Sequence, residues 1–203
     1  MPARSRNPEK VDFKASHPEL YRARKSMEEI RVEKGTYLVV DGQGAPGGRE
    51  YQEAIGQLFS VGYTLKYFLR GAGVVDFTIP ALECLWLDEP GTRPLAQWRW
   101  RVMVRVADQV KAGDVTAAKK QVREKKGLDV SAVKRVTWSE GRALQVLHVG
   151  PYDAVEHAYR ALLEEVSRRG LRRVGVGHEL YLNDPRRVGP ERTKTIVRVA
   201  VRR

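Results

Sequence analysis

The chain has 203 residues, with 37 Lys and Arg against 25 Asp and Glu, and so a formal net charge of +12. At 42% apolar and 31% charged residues its composition is that of an ordinary globular protein, and a single cysteine, Cys84, excludes an internal disulfide framework and an all-cysteine metal site. No apolar run approaches the roughly 18 residues of a membrane span, and residues 1–14 lack the apolar core of a secretion signal, so the expectation is a cytoplasmic protein with no membrane partner.

Residues 1–30 are polar and irregular, with His17-Pro18-Glu19-Leu20-Tyr21 as the one anchor-like patch, and read as an N-terminal extension. Residues 32–41 are rich in β-formers, and the glycine-rich stretch 42–48 reads as a loop. Ala54, Ile55, Leu58, Phe59, Leu65 and Leu69 recur at helical spacing. That spacing predicts a helix over about 50–70, with a bend at Gly62. Strands are predicted at 74–79 and 82–87, and Trp98 to Val106 alternates as a third.

A second block repeats this order. A connecting helix over 115–126 has Asp114 as its expected N-cap. Strands at 133–138 and 142–149 follow. Asp153 and Glu156 have capping-box spacing ahead of Val155, Ala158, Tyr159, Leu162 and Val166, with Gly170 as the stop. Residues 174–183 and 193–201 complete the block as strands, with the turn at Asp184-Pro185.

Both blocks run strand, glycine-bearing loop, long helix, two strands. The expected fold is α+β: one domain over 31–203, built of two pseudo-symmetric strand-helix-strand-strand halves at about 31–110 and 133–203, joined by the helical connector. The halves form a curved antiparallel sheet with the helices on one face, and the groove between them is the natural ligand site.

The excess positive charge lies in two places. Residues 111–135 carry 8 basic and 3 acidic side chains, and the last 38 residues carry 11 and 3. Such clusters can make a phosphate-binding field or serve as solvated faces. No helix-turn-helix or other reader precedes the domain, so the expectation is weak, sequence-independent nucleic-acid binding at most.

The chemistry concentrates in residues 177–187, GHELYLNDPRR. In a strand, Glu179 and Tyr181 share one face and His178, Leu180 and Leu182 the other. Glu179 is either a solvent-facing residue on an open sheet face or an acid in a semi-enclosed pocket. In the second case desolvation raises its pKa, makes it a better base and suits it to cationic ligands. Trp86, Trp98, Trp100, Tyr63 and Tyr152 are candidate stacking walls, and Trp138 is a further one. Glu83 is a second candidate acid that cannot share a regular strand face with Trp86. His17, His148, His157 and His178 lack metal-ligand spacing, so no metal is expected. Gly42-Gln43-Gly44 is not a dinucleotide fingerprint, and no cofactor is expected.

The strings HELYLNDPRR and PERTKTIVRV, with HVGPYDA at 148–154, VGYTLKYFL at 61–69, PALECLWL at 80–87 and QWRWRVMVRVAD at 97–108, resemble the GyrI-like small-molecule-binding family in order along residues 30–203. The resemblance implies two strand-helix-strand-strand modules around a central pocket with Glu179 as its acid. In multidrug-sensing relatives that acid meets cationic aromatic drugs. The long stand-alone branch, which this chain resembles most, includes hydrolases that open the strained cyclopropane ring of DNA-alkylating natural products. On that resemblance Glu179 deprotonates a water, Tyr181 assists, and Trp86, Trp98, Trp100, Tyr63, Tyr152, Met103 and Glu83 form the ligand-binding set. Cys84 and Leu87 stand where relatives commonly have glycine and a second tryptophan. The expected partner is a small planar molecule. A non-catalytic sequestering or sensing role, or a protein partner such as DNA gyrase, is the alternative, and oligomeric state is open.

Overall fold

A computed structural model describes residue 8 and residues 10–203. The reading of the first residues as lacking a secretion signal, and part of the N-terminal extension, lie outside the described residues. In chain order the elements are β1 (Lys10–Val11), α1 (Phe13–Ser16), α2 (Pro18–Tyr21), β2 (Glu28–Val32), β3 (Gly35–Gln43), α3 (Arg49–Gly71), β4 (Asp76–Phe77) and β5 (Leu82–Trp86). They continue as β6 (Arg99–Val106), α4 (Ala112–Lys126), β7 (Lys134–Trp138), β8 (Gly141–Val149), α5 (Val155–Arg168), β9 (Arg172–Tyr181) and β10 (Lys194–Arg202).

Eight strands form one sheet in the order β2-β8-β10-β9-β5-β6-β3-β7, with every pairing in it antiparallel. The two modules are β3-α3-β5-β6 and β8-α5-β9-β10, and they join through the β5–β9 pair. The α+β duplicated architecture expected from the periodicity is therefore the one observed.

The outer strands complete it by crossing over. β2 leads into β3 through Glu33 and Lys34 alone, yet pairs with β8 of the other module. β7 leads into β8 through Ser139 and Glu140, yet pairs with β3. Val32 lies opposite Gly141 and, three residues on, Gly35 lies opposite Trp138, so the register is unchanged across the break. Three peptide steps span about 11 Å at most. The sheet must therefore curl until its two ends approach each other.

The buried stripe of α3 (Tyr51, Ala54, Leu58, Val61, Leu65, Leu69) packs on Leu38, Val40, Val102 and Val104 of the sheet. Helix α5 sets Val155, Leu162 and Val166 against Leu144, Val146, Val197 and Val199. Both helices cover the same face. The opposite face is closed in by the curl and by the N-terminal segment, whose Phe13, Leu20 and Tyr21 are buried.

Several local expectations are corrected. Helix α3 runs unbroken through Gly62, whose position faces Ile79 and Leu38 at ordinary contact distances. Asp114 is not the N-cap of α4: the helix starts at Ala112, and Asp114 reaches back from its first turn to accept from the Lys111 N–H. Asp153 lies in a 3-10 turn, Tyr152–Ala154, that runs into α5. The N-terminal region is more than an extension, because β2 is a sheet strand.

Candidate functional site

Strand β9 supplies the centre of the site. Its register with β10 shifts between Val199 and Ala200, where Gly175 adopts a φ of +76°. That is a β-bulge using the one residue type indifferent to positive φ. Beyond it, Gly177, Glu179 and Tyr181 alternate onto the helix-covered face. Glu179 sits between Cys84 of β5 and Val197 of β10, on the joint between the modules.

Only 7% of Glu179 is exposed. Burial pushes its carboxyl above the usual carboxylate range. The polar hydrogens of Tyr181, Trp86 and Tyr159, and the charge of His178, offset part of that rise. Tyr181 Oη donates to Glu179 Oε2 at 2.9 Å, and Tyr51 Oη of α3 donates to Tyr181 Oη at 3.4 Å. Burial and Glu179 together push the Tyr181 phenol and the Cys84 thiol well above their ordinary values, so both stay protonated.

Aromatic rings wall this carboxyl. Tyr51 lies parallel to Trp86 (centroids 5.7 Å apart, planes 9° apart), and Trp98 meets Trp86 edge-on at 5.7 Å. Trp100 stands edge-on to Tyr51 at 5.1 Å and donates its indole N–H to the Gly44 carbonyl. Tyr152, 41% exposed, meets Tyr181 edge-on at 5.5 Å and forms the outer rim. A flat, electron-rich enclosure around one hard-to-ionise carboxyl suits planar or cationic aromatic ligands.

The structure thus brings Glu179, Tyr181, Trp86, Trp98, Trp100 and Tyr152 together. It separates the other four candidates, and Trp138 of β7 meets Tyr37 and His178 edge-on on the far face of the sheet. Tyr63 is 47% exposed and stacks on Phe59, about 18 Å along α3 from Tyr51 at 1.5 Å per residue. Glu83 and Met103, each in a strand residue position of opposite phase, lie on the far face of the sheet. There Met103 packs with Tyr37, Val39 and Leu85, while Glu83 bonds His178 and Tyr21.

Three contributors were not singled out from the sequence. Tyr51 reads as core because it belongs to the apolar stripe of α3. Tyr159 of α5 likewise fits a packing stripe, yet its hydroxyl lies against Gly177, two residues before Glu179. Gly177 makes room for it: a Cβ there would lie 2.7 Å from Tyr159 Oη. A glycine inside a strand is the one available signal, since it often marks such a close approach.

Residues 64–202 match the model of the GyrI-like small molecule binding domain. No curated protein matches the chain. Among solved structures, a hydrolase encoded by lin2189 of Listeria innocua is 35% identical, with a TM-score of 0.88 over 96% of this chain and 100% of that one. An uncharacterized conserved protein from Listeria innocua is also 35% identical, with a TM-score of 0.89 over 95% and 100%. Another structure, of a hydrolase from Listeria innocua, is 34% identical, with a TM-score of 0.85 over 95% and 100%. The duplicated modules, the central acid between them and these likenesses agree, and the chain belongs to the GyrI-like small-molecule-binding family.

Proposed function

We propose that this protein binds a planar aromatic molecule over Glu179 and opens a strained cyclopropane ring on it by adding water. The observation that carries the reading is the buried carboxyl itself, raised in pKa by desolvation, oriented by Tyr181 and walled by Tyr51, Trp86 and Trp98. Family membership supports a small-molecule ligand, and two of the similar Listeria innocua structures are described as those of a hydrolase.

The chemistry needs a base that can take a proton from water, and desolvation raises the basicity of the Glu179 carboxyl. Tyr181 orients the carboxylate through one of its oxygens. The aromatic walls hold the ring flat and exclude bulk solvent, so that the strained carbon meets the water in a fixed position.

The test is incubation with a cyclopropane-bearing alkylator, followed by mass spectrometry for the substrate mass plus one water. The wild type forms this product well above the buffer rate, and Glu179→Gln reduces the enzymatic rate by about a hundredfold or more. Equal product from both proteins and from buffer rejects hydrolysis. Tight ligand binding without product would instead support the sequestering role.

A further inference from the structure

Four of the seven large apolar side chains exposed among the described residues lie on the second half of α3 or just past its end: Tyr63, Tyr67, Phe68 and Val74. The stripe that α3 turns to the sheet is already made by Leu58, Val61, Leu65 and Leu69, so these side chains stand outside the core. Tyr67 is about 24 Å along the helix from Tyr51, at 1.5 Å per residue, which separates this surface from the Glu179 site. Single exposed apolar residues need no explanation, whereas a group of them marks a contact surface.

Helix α4 packs beside α3 through Val115, Ala118 and Val122. Along this seam runs an open groove of about 310 Å³, lined by Thr64, Tyr67 and Phe68 of α3 and by Val122, Lys125 and Lys126 of α4. One wall is aromatic, the buried Val122 sets the floor, and the other wall carries two ammonium groups. Lys125 and Lys126 are exposed, and neither forms an ion pair among the described residues. Glu124 of the same turn faces Lys120 at 3.8 Å, and Lys66 beside the rings is taken up by Asp76 at 3.1 Å. Cations suit the last turn of a helix through its dipole, which accounts for basic residues there. It does not account for the exposed rings next to them.

We propose that the α3–α4 groove docks an acidic amphipathic helix of another protein, whose apolar ridge rests on Tyr67 and Phe68 while its carboxylates meet Lys125 and Lys126. The charge of the surface selects that partner. Residues 111–135 carry 8 basic and 3 acidic side chains, so a negative partner is drawn in and a positive one repelled. A second copy of this chain would bring the same unpaired lysines to the contact. A channel between two helices receives a ridge of side chains at helical spacing, as in other helix-in-groove contacts. A bilayer surface has no such ridge. A nucleic-acid strand needs cations along its whole track, whereas here they gather at one end of one helix.

The closing experiment uses the full chain and a fluorescein-labelled synthetic peptide of about 16 residues, with leucine on one helical face and glutamate and alanine elsewhere, followed by anisotropy at about 0.15 M salt. Lys125→Glu with Lys126→Glu weakens binding about tenfold or more, and Tyr67→Ser with Phe68→Ser does likewise. Both pairs are surface changes, so each variant melts within about 3 °C of the wild type. Arg172→Glu with Arg203→Glu makes the same change of net charge at exposed positions on β9 and after β10, and leaves the affinity within about twofold. A carbodiimide then couples the bound peptide's carboxyl groups to Lys125 or Lys126, read by mass spectrometry.

Equal losses from the two charge-reversed pairs make the attraction a property of the whole surface and overturn the groove. Absence of peptide binding overturns it too. Tighter binding to a single-stranded oligonucleotide or to phosphatidylserine vesicles, or a dimer that Tyr67→Ser disperses in sedimentation, gives the surface a different occupant and also overturns the proposal.

Discussion

At Glu179 the protein keeps a carboxyl where ionisation is unfavourable. Burial is the largest influence on it, and the hydrogens of Tyr181, Trp86 and Tyr159 compensate incompletely, so the folded-state pKa lies above the ordinary 4.5. A group whose pKa rises on folding binds its proton more tightly in the native state. Its contribution is favourable below pH 4.5 and is lost as pH rises through the folded-state value. Glu179→Gln keeps the shape and removes the charge. We expect its Tm to exceed that of the wild type by about 2 °C or more at about pH 8, and the difference to close near pH 4. Calorimetry at both pH values checks this, and a variant less stable at both would mean that its neighbours satisfy the carboxylate fully. Stability gained together with activity lost is the pattern of a functional residue retained against folding.

Between elements, the site depends on backbone held close to rings. Gly42 of β3 lies directly opposite Trp100 of β6, and a Cβ at Gly42 would sit 2.2 Å from the indole ring. Trp100 in turn supports Tyr51 edge-on. Gly42→Ala therefore forces a fully buried tryptophan to shift, and overpacking of this kind costs about 1–3 kcal/mol. Urea unfolding should show a lower midpoint at unchanged m, and a midpoint equal to that of the wild type would mean the ring has room to yield. The module order was legible because apolar spacing marks α3 and α5 and alternation marks β6 and β9. Glu179 was legible as an acid in the middle of a strand. Spacing placed Glu83 and Trp86 on opposite faces, but only the packing of α3 and α5 decides which face carries the site. Tyr51 escaped because a helix stripe does not say which of its members meets a carboxylate. Strand β2, Glu-Glu-Ile-Arg-Val, has only Ile30 and Val32 to carry an alternation, too short a signal to mark a strand, and it pairs with the edge that β8 offers. Asp114 and Asp153 each have the right chemistry for a cap, but the helices start at positions set by the preceding turns.

Across the whole molecule, the curl of the sheet encloses a second set of charges behind the site. His178, on the opposite face of β9 from Glu179, places Nε2 3.1 Å from Glu83 and Nδ1 2.9 Å from Glu140. Both ring nitrogens face acceptors, which only the doubly protonated imidazolium satisfies. Arg198 of β10 lies 3.7 Å from Glu140 and bonds Gln145 of β8 and the Leu20 carbonyl. Tyr21 of α2 donates to Glu83. Tyr37 of β3 and Arg105 of β6, whose guanidinium lies over the Phe13 ring, face the same interior. These groups tie β5, β8, β9, β10, the β7–β8 turn and the N-terminal segment into one unit. Burial lowers the His178 pKa, but Glu140 and Glu83 more than offset it and hold it above 6.5. Burial raises Glu140, but His178 and Arg198 hold it below 4.5. The imidazolium contribution is complete below pH 6.5 and is lost as pH rises through its folded-state value. That of Glu140 is complete above pH 4.5 and is lost as pH falls through its own. Both are therefore present in full between pH 4.5 and 6.5. His178→Gln leaves two buried carboxylates facing a neutral amide, a loss of about 3 kcal/mol or more, or about 6 °C in Tm at this chain length. The deficit should be largest between those two pH values. It shrinks at higher pH as the wild-type histidine loses its proton, and at lower pH as Glu140 gains one. Thermal melts of both proteins from about pH 3.5 to 9 read the difference directly, and curves that run parallel across the range would mean that His178 is neutral in the fold.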